Sequence, residues 1–248
     1  MKISVVIIAK NESENLKLSL SKLDWCDDIV LVDDFSSDDT KSVAESHGAI
    51  VYQRKLDDFG LQKQFAVSKA KHNWILSIDA DEILSDNLIS EIKQLNLESE
   101  ITAYNIPRQH VFLGKIFKYG KESKMLIIRL FNKKFGNFNS SSVHEKVETK
   151  GKVSNLKNSI LHYSYRDLDQ YFEKFNVYTS RGAQLLKNKG KNRPFLLIVL
   201  LFPIYFLKHY LIYGNFLNGK EGFVWSYLSA WYHTVKYLKL SELNKVSN

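Results

Sequence analysis

Cysteine is almost absent from the chain: Cys26 stands alone among 248 residues. That excludes an internal disulfide and any zinc site built on cysteines. Cys26 lies in Asp24-Trp25-Cys26-Asp27-Asp28, just before an apolar run, and reads as a small residue at a core edge. A reducing compartment is consistent with this. Three prolines and 11 glycines give no sign of disorder or repeats. The glycine-rich dinucleotide fingerprint is missing after the first strand, which argues against a nicotinamide or flavin fold. The N-terminus enters a strand at Ile3, so no signal peptide is expected.

Charge is unevenly spread. The net charge is +8; residues 166–248 carry +7 and residues 1–165 carry +1. A basic segment points to an anionic partner. Within it, Phe195 to Leu207 is 13 residues without a charge, short of the roughly 20 that a spanning helix needs. Pro203 interrupts the run. Lys187, Lys189, Lys191 and Arg193 precede it, and Lys208 and His209 follow. Basic flanks around an apolar segment suit an anionic membrane surface, with the helix in the plane of the interface. They suit a phosphodiester backbone less, so no nucleic-acid partner is expected. The bland alternative is a buried core helix.

With 44% hydrophobic residues the chain can bury a sizeable core. Ile3–Ala9 and 28–32 are continuous, β-branched runs, as in strands buried on both faces. Strands are also expected over 49–53 and 74–78. Between them come helices from Asn11, read as an N-cap, with Leu16, Leu20 and Leu23 as the apolar stripe; from Thr40 to Ser46, closed by His47-Gly48; over 61–71; and from Ser85 to Leu95. Alternating strands and helices with short connections predict a parallel, doubly wound α/β sheet. An α+β continuation follows, with strands over 101–107, 125–131 and 156–164. Helices are expected from Asp167, where Leu168, Tyr171, Phe172, Phe175 and Tyr178 fall at helical spacing and read mostly as core. The chain is therefore divided into residues 1–165 and 166–248.

The stretch Leu76-Ser77-Ile78-Asp79-Ala80-Asp81-Glu82 drives a buried strand into three carboxylates. Burying them without partners is costly. Open α/β sheets bind ligands at the carboxyl ends of their strands. Asn11-Glu12, Asp33-Asp34 and Asp79-Ala80-Asp81 all fall there. Acidic sites converging on one sheet edge point to a phosphate ligand bound through Mg²⁺ or Mn²⁺, held by one or two carboxylates. A nucleotidyltransferase also pairs carboxylates on an α/β sheet, but Lys10-Asn11-Glu12 is not its glycine-rich basic loop. His162 reads as a satisfied core histidine.

The chain resembles the family-2 glycosyltransferases of GT-A fold, and within them the lipopolysaccharide core β-glucosyltransferase group, the WaaE/KdtX-like enzymes. The matching pieces are VVIIAKNESENL (5–16), DDIVLVDDFSSDDT (27–40), FGLQKQFAVSKAKHNWILSIDADE (59–82), IPRQHVFLGK (106–115), IRLFNKK (128–134), VHEKVE (143–148), LHYSYRDLDQYFEK (161–174) and GFVWSYLSAWYHTVKYLKL (222–240). The resemblance implies a Rossmann-like mixed sheet with helices on both faces, followed by a helical, membrane-associating region. It implies an inverting enzyme that moves a hexose, glucose from UDP-glucose, onto an inner-core heptose of lipopolysaccharide or lipooligosaccharide. Polyprenyl-phosphate, a capsular glycan or a protein are the alternative acceptors. Ala9, Asn11 and Glu12 would line the nucleotide pocket, and Asp33, with Asp34 beside it, would contact uracil or ribose. Lys63 would face the donor phosphates or base, Asp79 the ribose or the metal, and Asp81 would hold the metal. The enzyme would sit in the cytoplasm, attached to the inner face of the inner membrane, where its lipid-linked oligosaccharide acceptor lies. The Q-x-x-R-W motif of many relatives is missing. Glu145 is the expected base, with His144 as rival or orienter. Gly120 to Lys124 also departs from the family pattern, where an aromatic and a proline are expected.

Overall fold

The computed structural model describes residues 2–123, 125–140 and 145–245. His144 therefore lies outside the described residues. The elements in chain order are β1 (Ile3–Ala9), α1 (Ser13–Leu20), β2 (Ile29–Asp33), α2 (Thr40–Ser46), β3 (Ile50–Gln53), α3 (Phe59–Lys69), β4 (Trp74–Asp79), β5 (Glu82–Leu84), α4 (Asp86–Lys93), β6 (Ile101–Phe112), β7 (Lys115–Ile116), β8 (Met125–Asn132), β9 (Gly136–Phe138), β10 (Val147–Thr149), β11 (Lys152–Asn155), β12 (Ile160–His162), α5 (Leu168–Asn188), α6 (Phe195–Leu207) and α7 (Lys220–Lys245). They form two compact units: residues 1–109 with 125–162, and residues 110–124 with 163–248. The sequence pattern divides the chain once, near 165, whereas here the segment 110–124 belongs with the C-terminal helices.

In the first unit the sheet runs β3-β2-β1-β4-β8-β6-β12-β5. The first four strands are parallel; β8 joins β4, and β6 joins β8, antiparallel. The mixed sheet arises because β8 and β6 are not linked by βαβ crossovers. Alternate residues of each strand feed opposite faces. Ile3, Val5 and Ile7 pack with Leu16, Leu20, Leu88 and Ile92 of α1 and α4. Val6, Val30, Val32 and Ile75 pack with Ala66 and Val67 of α3. Both faces are covered, which is why these strands read as unbroken apolar runs. Ser85 caps α4 by accepting from the Leu88 N–H (3.2 Å), and Asp58 caps α3 through the Leu61 N–H (2.9 Å). Gly48 closes α2 with φ +77°, a left-handed conformation that favours glycine. Cys26 is half-buried, and burial pushes its thiol pKa up, as fits an inert core-edge residue.

Two local expectations differ. Asn11 does not cap α1: its φ is +54°, and its Oδ1 accepts from the Ser37 N–H (2.8 Å), tying down the loop after β2. The strand expected over 156–164 is confined to 160–162, because the Lys157 and Asn158 N–H groups turn aside to Glu91.

The second unit is built on α7, against which α5 and α6 both pack. Phe112, Phe117, Tyr171 and Leu228 form its core, with Trp225 beside them. Tyr171 is buried, whereas Leu168, Phe172 and Tyr178 are exposed, so only part of the aromatic stripe is core. The Asn218 side chain accepts from the Lys118 and Tyr119 N–H groups (3.1 and 3.2 Å) and donates to the Tyr119 carbonyl (2.9 Å). It thereby fastens the segment 110–124 to the helices. Pro203 lies inside α6 without ending it, and one π-helical turn (208–212) continues the helix. Phe195–Ile212 thus makes 18 residues of mean hydropathy 2.1, of which 17% are buried. By length and composition this helix could cross a membrane, and it is not a buried core helix. Phe223, Tyr227 and Trp231 recur every fourth residue on α7 and are exposed as well. Phe202 of α6 packs on Tyr227 and Phe206 on Phe223, with ring centroids 5.0 and 5.4 Å apart.

Candidate active site

The register of the parallel strands brings the sequence-predicted residues to one sheet edge. Ala9 lies opposite Asp33, and Ile8 opposite Asp79. Asp33 is buried and accepts from the Ser36 N–H (3.2 Å), the Ser36 hydroxyl (2.5 Å) and the Gln53 amide (3.3 Å). Asp34 pairs with Lys10 (2.7 Å) and accepts from the Leu56 N–H (2.9 Å); these bonds, the one from Lys10 first, lower its pKa. The Asn11 N–H donates to the Ser36 hydroxyl (2.8 Å) and the Glu12 N–H to Thr40 (2.8 Å). The ends of β1 and β2 are therefore laced into one cradle. Phe35 stands exposed at its edge with φ +50°, a strained conformation for an aromatic residue.

The three carboxylates of Asp79-Ala80-Asp81-Glu82 have three different sets of partners. Asp79 is gripped by two cations: Lys63 Nζ at 2.8 Å on one oxygen and Arg129 Nη2 at 2.5 Å on the other. Burial alone would raise its pKa, but the charges of Arg129 and Lys63 outweigh that and hold it well below the usual carboxylate range. Glu82 is fully buried; it accepts from Arg129 Nη2 (2.7 Å) and from the Asp79 N–H (3.0 Å). Burial opposes the charge of Arg129 too, yet Asp79 and Glu82 push its pKa up from the ordinary arginine value. Asp81 points elsewhere, to His162 Nε2 at 3.3 Å.

Lys63, only 3% exposed, joins Asp79 to Glu145 by donating to each at 2.8 Å. Three residues from α3, β4 and the loop before β10 thus meet around one ammonium group. Glu145 and Asp79 both line a cavity of 490 Å³ in the first unit, with Arg108, Arg129 and Lys146 among the other walls. A carboxylate so placed can take a proton from a hydroxyl bound in the cavity.

Among the described residues no group of three or more metal-ligating side chains occurs. Asp81 and His162 stand as a pair. That fits a Mg²⁺ or Mn²⁺ ion bound through few protein ligands, with the remaining positions filled by phosphate oxygens and water. Asp79, with both oxygens on cations, is less free to serve.

The sequence reading passed over Arg129 and Arg108, counted Glu82 in the acidic cluster without giving it a role, and read His162 as a satisfied core histidine, which here is half-buried and lies 3.3 Å from Asp81. The signal for Arg129 is present: a lone guanidinium in the apolar strand Met-Leu-Ile-Ile-Arg-Leu-Phe-Asn demands a buried acid.

Residues 4–151 match the glycosyl transferase family 2 model. The chain belongs to that family, and it is a glycosyltransferase of GT-A-like fold. It is 32% identical to an uncharacterized glycosyltransferase of Rickettsia typhi, over 98% of this chain and 88% of the other. It is 29% identical to the lipopolysaccharide core biosynthesis glycosyltransferase LpsC of Rhizobium meliloti, over 93% of this chain and 88% of the other. Among solved structures it is similar to residues 1–349 of Staphylococcus aureus TarS, with a TM-score of 0.50 and 17% identity, over 72% of this chain and 64% of that one.

Proposed function

We propose that the protein transfers a hexose, glucose from UDP-glucose, with inversion onto an inner-core heptose of lipopolysaccharide or lipooligosaccharide, as the lipopolysaccharide core β-glucosyltransferases do. The observation that carries this reading is the Lys63 bridge, which sets Glu145 in a cavity beside the donor-side Asp79. Similarity to a lipopolysaccharide core glycosyltransferase supports the choice of acceptor. Uridine and ribose lie in the cradle of Ala9, Asn11, Glu12, Asp33 and Asp34. Asp81, with His162, would hold the divalent metal, which would supply positive charge to offset that on the departing diphosphate. Asp79 keeps Lys63 and Arg129 in place beside the donor. Glu145 removes the proton from the acceptor hydroxyl, whose oxygen forms the new bond to the anomeric carbon as the bond to UDP breaks.

The donor half is tested by thermal stabilisation. UDP is expected to stabilise the full-length protein only with Mg²⁺ or Mn²⁺ present, by about 2.7 kcal/mol at a hundredfold excess over Kd. Asp81→Asn abolishes the metal-dependent part, and His162→Ala weakens it. An unchanged shift in Asp81→Asn removes that residue from the site.

Membrane attachment rests on the exposed apolar helix 195–212 and the basic residues before it. The protein would lie at the cytoplasmic face of the inner membrane, where a lipid-linked acceptor is found. Each Lys or Arg near an anionic surface contributes on the order of 1 kcal/mol. Vesicle flotation is expected to show binding that is stronger with anionic lipid and partly resistant to salt. Equal binding to neutral vesicles contradicts the electrostatic part, and no binding to either contradicts attachment.

A further inference from the structure

The 490 Å³ cavity that holds Glu145 carries three cations, Arg108, Arg129 and Lys146, against two carboxylates, Asp79 and Glu145. Arg108 projects from β6, three residues beyond Asn105, and both line the cavity. A register shift between Tyr104 and Asn105 interrupts the pairing with β8, a kind of irregularity that re-aims side chains. The contacts of Arg108 are weak ones. Glu82 lies 3.7 Å away with that same oxygen already held by Arg129 at 2.7 Å, and the sulfur of Met125 is 3.5 Å away. A charge-assisted bond to a carboxylate or phosphate is shorter, roughly 2.7–2.9 Å. Arg108 thus keeps most of its N–H donors for something else.

A second observation points the same way. Arg129 lines the cavity, is 6% exposed, and its Nε has no hydrogen-bond partner among the described residues. A buried guanidinium N–H left unmatched is costly, and a ligand acceptor would remove that cost. Lys146, next to the proposed base, adds a third cation to the wall.

From this we infer that the cavity is an oxyanion subsite: Arg108, with Arg129 Nε and Lys146, binds a phosphate or carboxylate carried by the acceptor. Its distance from the reacting hydroxyl then sets which hydroxyl meets Glu145. The acceptor is an anionic glycan, and a neutral sugar of the same shape binds poorly. This inference rests on the reading of Glu145 as the acceptor-side base.

The test is a calorimetric titration of the full-length protein, saturated with UDP and Mg²⁺ so that the donor side is filled. Inorganic phosphate and acetate are the probes. At least one is expected to bind saturably, and the tighter of the two names the group on the acceptor. Arg108→Gln weakens that binding roughly tenfold or more, the effect of losing a charge-assisted hydrogen bond. Arg108→Lys, which keeps charge but loses the planar fork, falls between. No saturable binding of either anion, or equal affinity in Arg108→Gln, overturns the inference. Because no sugar is transferred, these outcomes are independent of the proposed glucosyl transfer. Where a glycan acceptor is turned over, Arg108→Gln raises its KM more than it lowers kcat. The opposite split would assign Arg108 to the donor instead.

Discussion

Glu145→Gln is expected to lower kcat by roughly 10²–10⁴, the usual contribution of a general base, while UDP affinity stays near that of the wild type. The amide keeps the shape of the side chain but cannot take the proton. Lys63 retains its 2.8 Å bond to Asp79 in the variant, so the buried ammonium is not left without an anion. The fold is therefore expected to hold, which a thermal melt checks. Steady-state turnover near the wild-type value would remove Glu145 from the mechanism, and His144 would be the next residue to test.

Arg129→Met should produce the largest loss of stability. The substitution leaves Glu82, fully buried, with no cation closer than Arg108 at 3.7 Å and only the Asp79 N–H (3.0 Å) as hydrogen-bond donor, and leaves Asp79 with Lys63 as its one cation. Breaking a buried pair on one side costs about 3–5 kcal/mol, because an uncompensated charge remains. Urea unfolding reads the loss. The double variant Arg129→Met with Glu82→Gln should recover a substantial part of it, since the stranded charge is gone. Equal midpoints for wild type and Arg129→Met would show that the network adds no stability. The contribution of Asp79 is also insensitive to moderate acid. Asp79 is depressed below its unfolded pKa of about 3.9, so its stabilisation is complete above that value. It is lost only as the pH falls through the still lower folded pKa. A stability profile between pH 5 and 8 is expected to show no step from this group.

The strands of the parallel half were legible because burial on both faces writes itself as unbroken β-branched runs, as in Ile3–Ala9 and Trp74–Asp79. The short antiparallel pieces were not. Gly136–Phe138, Val147–Thr149 and Lys152–Asn155 are three or four residues each and largely polar, too brief to carry a period. Glu82–Leu84 was hidden by the acids before it and the Ser85 cap after it.

The site shows the same division. Asp33, Asp34, Asp79 and Asp81 were singled out because sheet ends in such folds collect ligands, and the structure brings Ala9, Asp33 and Asp79 to one edge. What local pattern could not reveal is partnership across the fold. Lys63 and Glu145 are 82 residues apart, and Arg129 reaches Asp79 over 50. Why a hydrophobic strand should run into three carboxylates is answered only there: two are matched by Lys63 and Arg129, and the third by His162. The apolar helix was underestimated for a related reason. Pro203 marks a break in sequence, but its missing N–H is tolerated within the helix, which runs on through Ile212.

Transfer itself tests the central claim most directly. The full-length protein would be incubated with ¹³C-labelled UDP-glucose, Mn²⁺ and lipopolysaccharide whose inner core lacks hexose, and the product linkage read by NMR. The expected result is labelled glucose joined to an inner-core heptose in the β configuration, inverted from the α-linked donor. An α linkage, or consumption of donor with no label in any glycan, would contradict it.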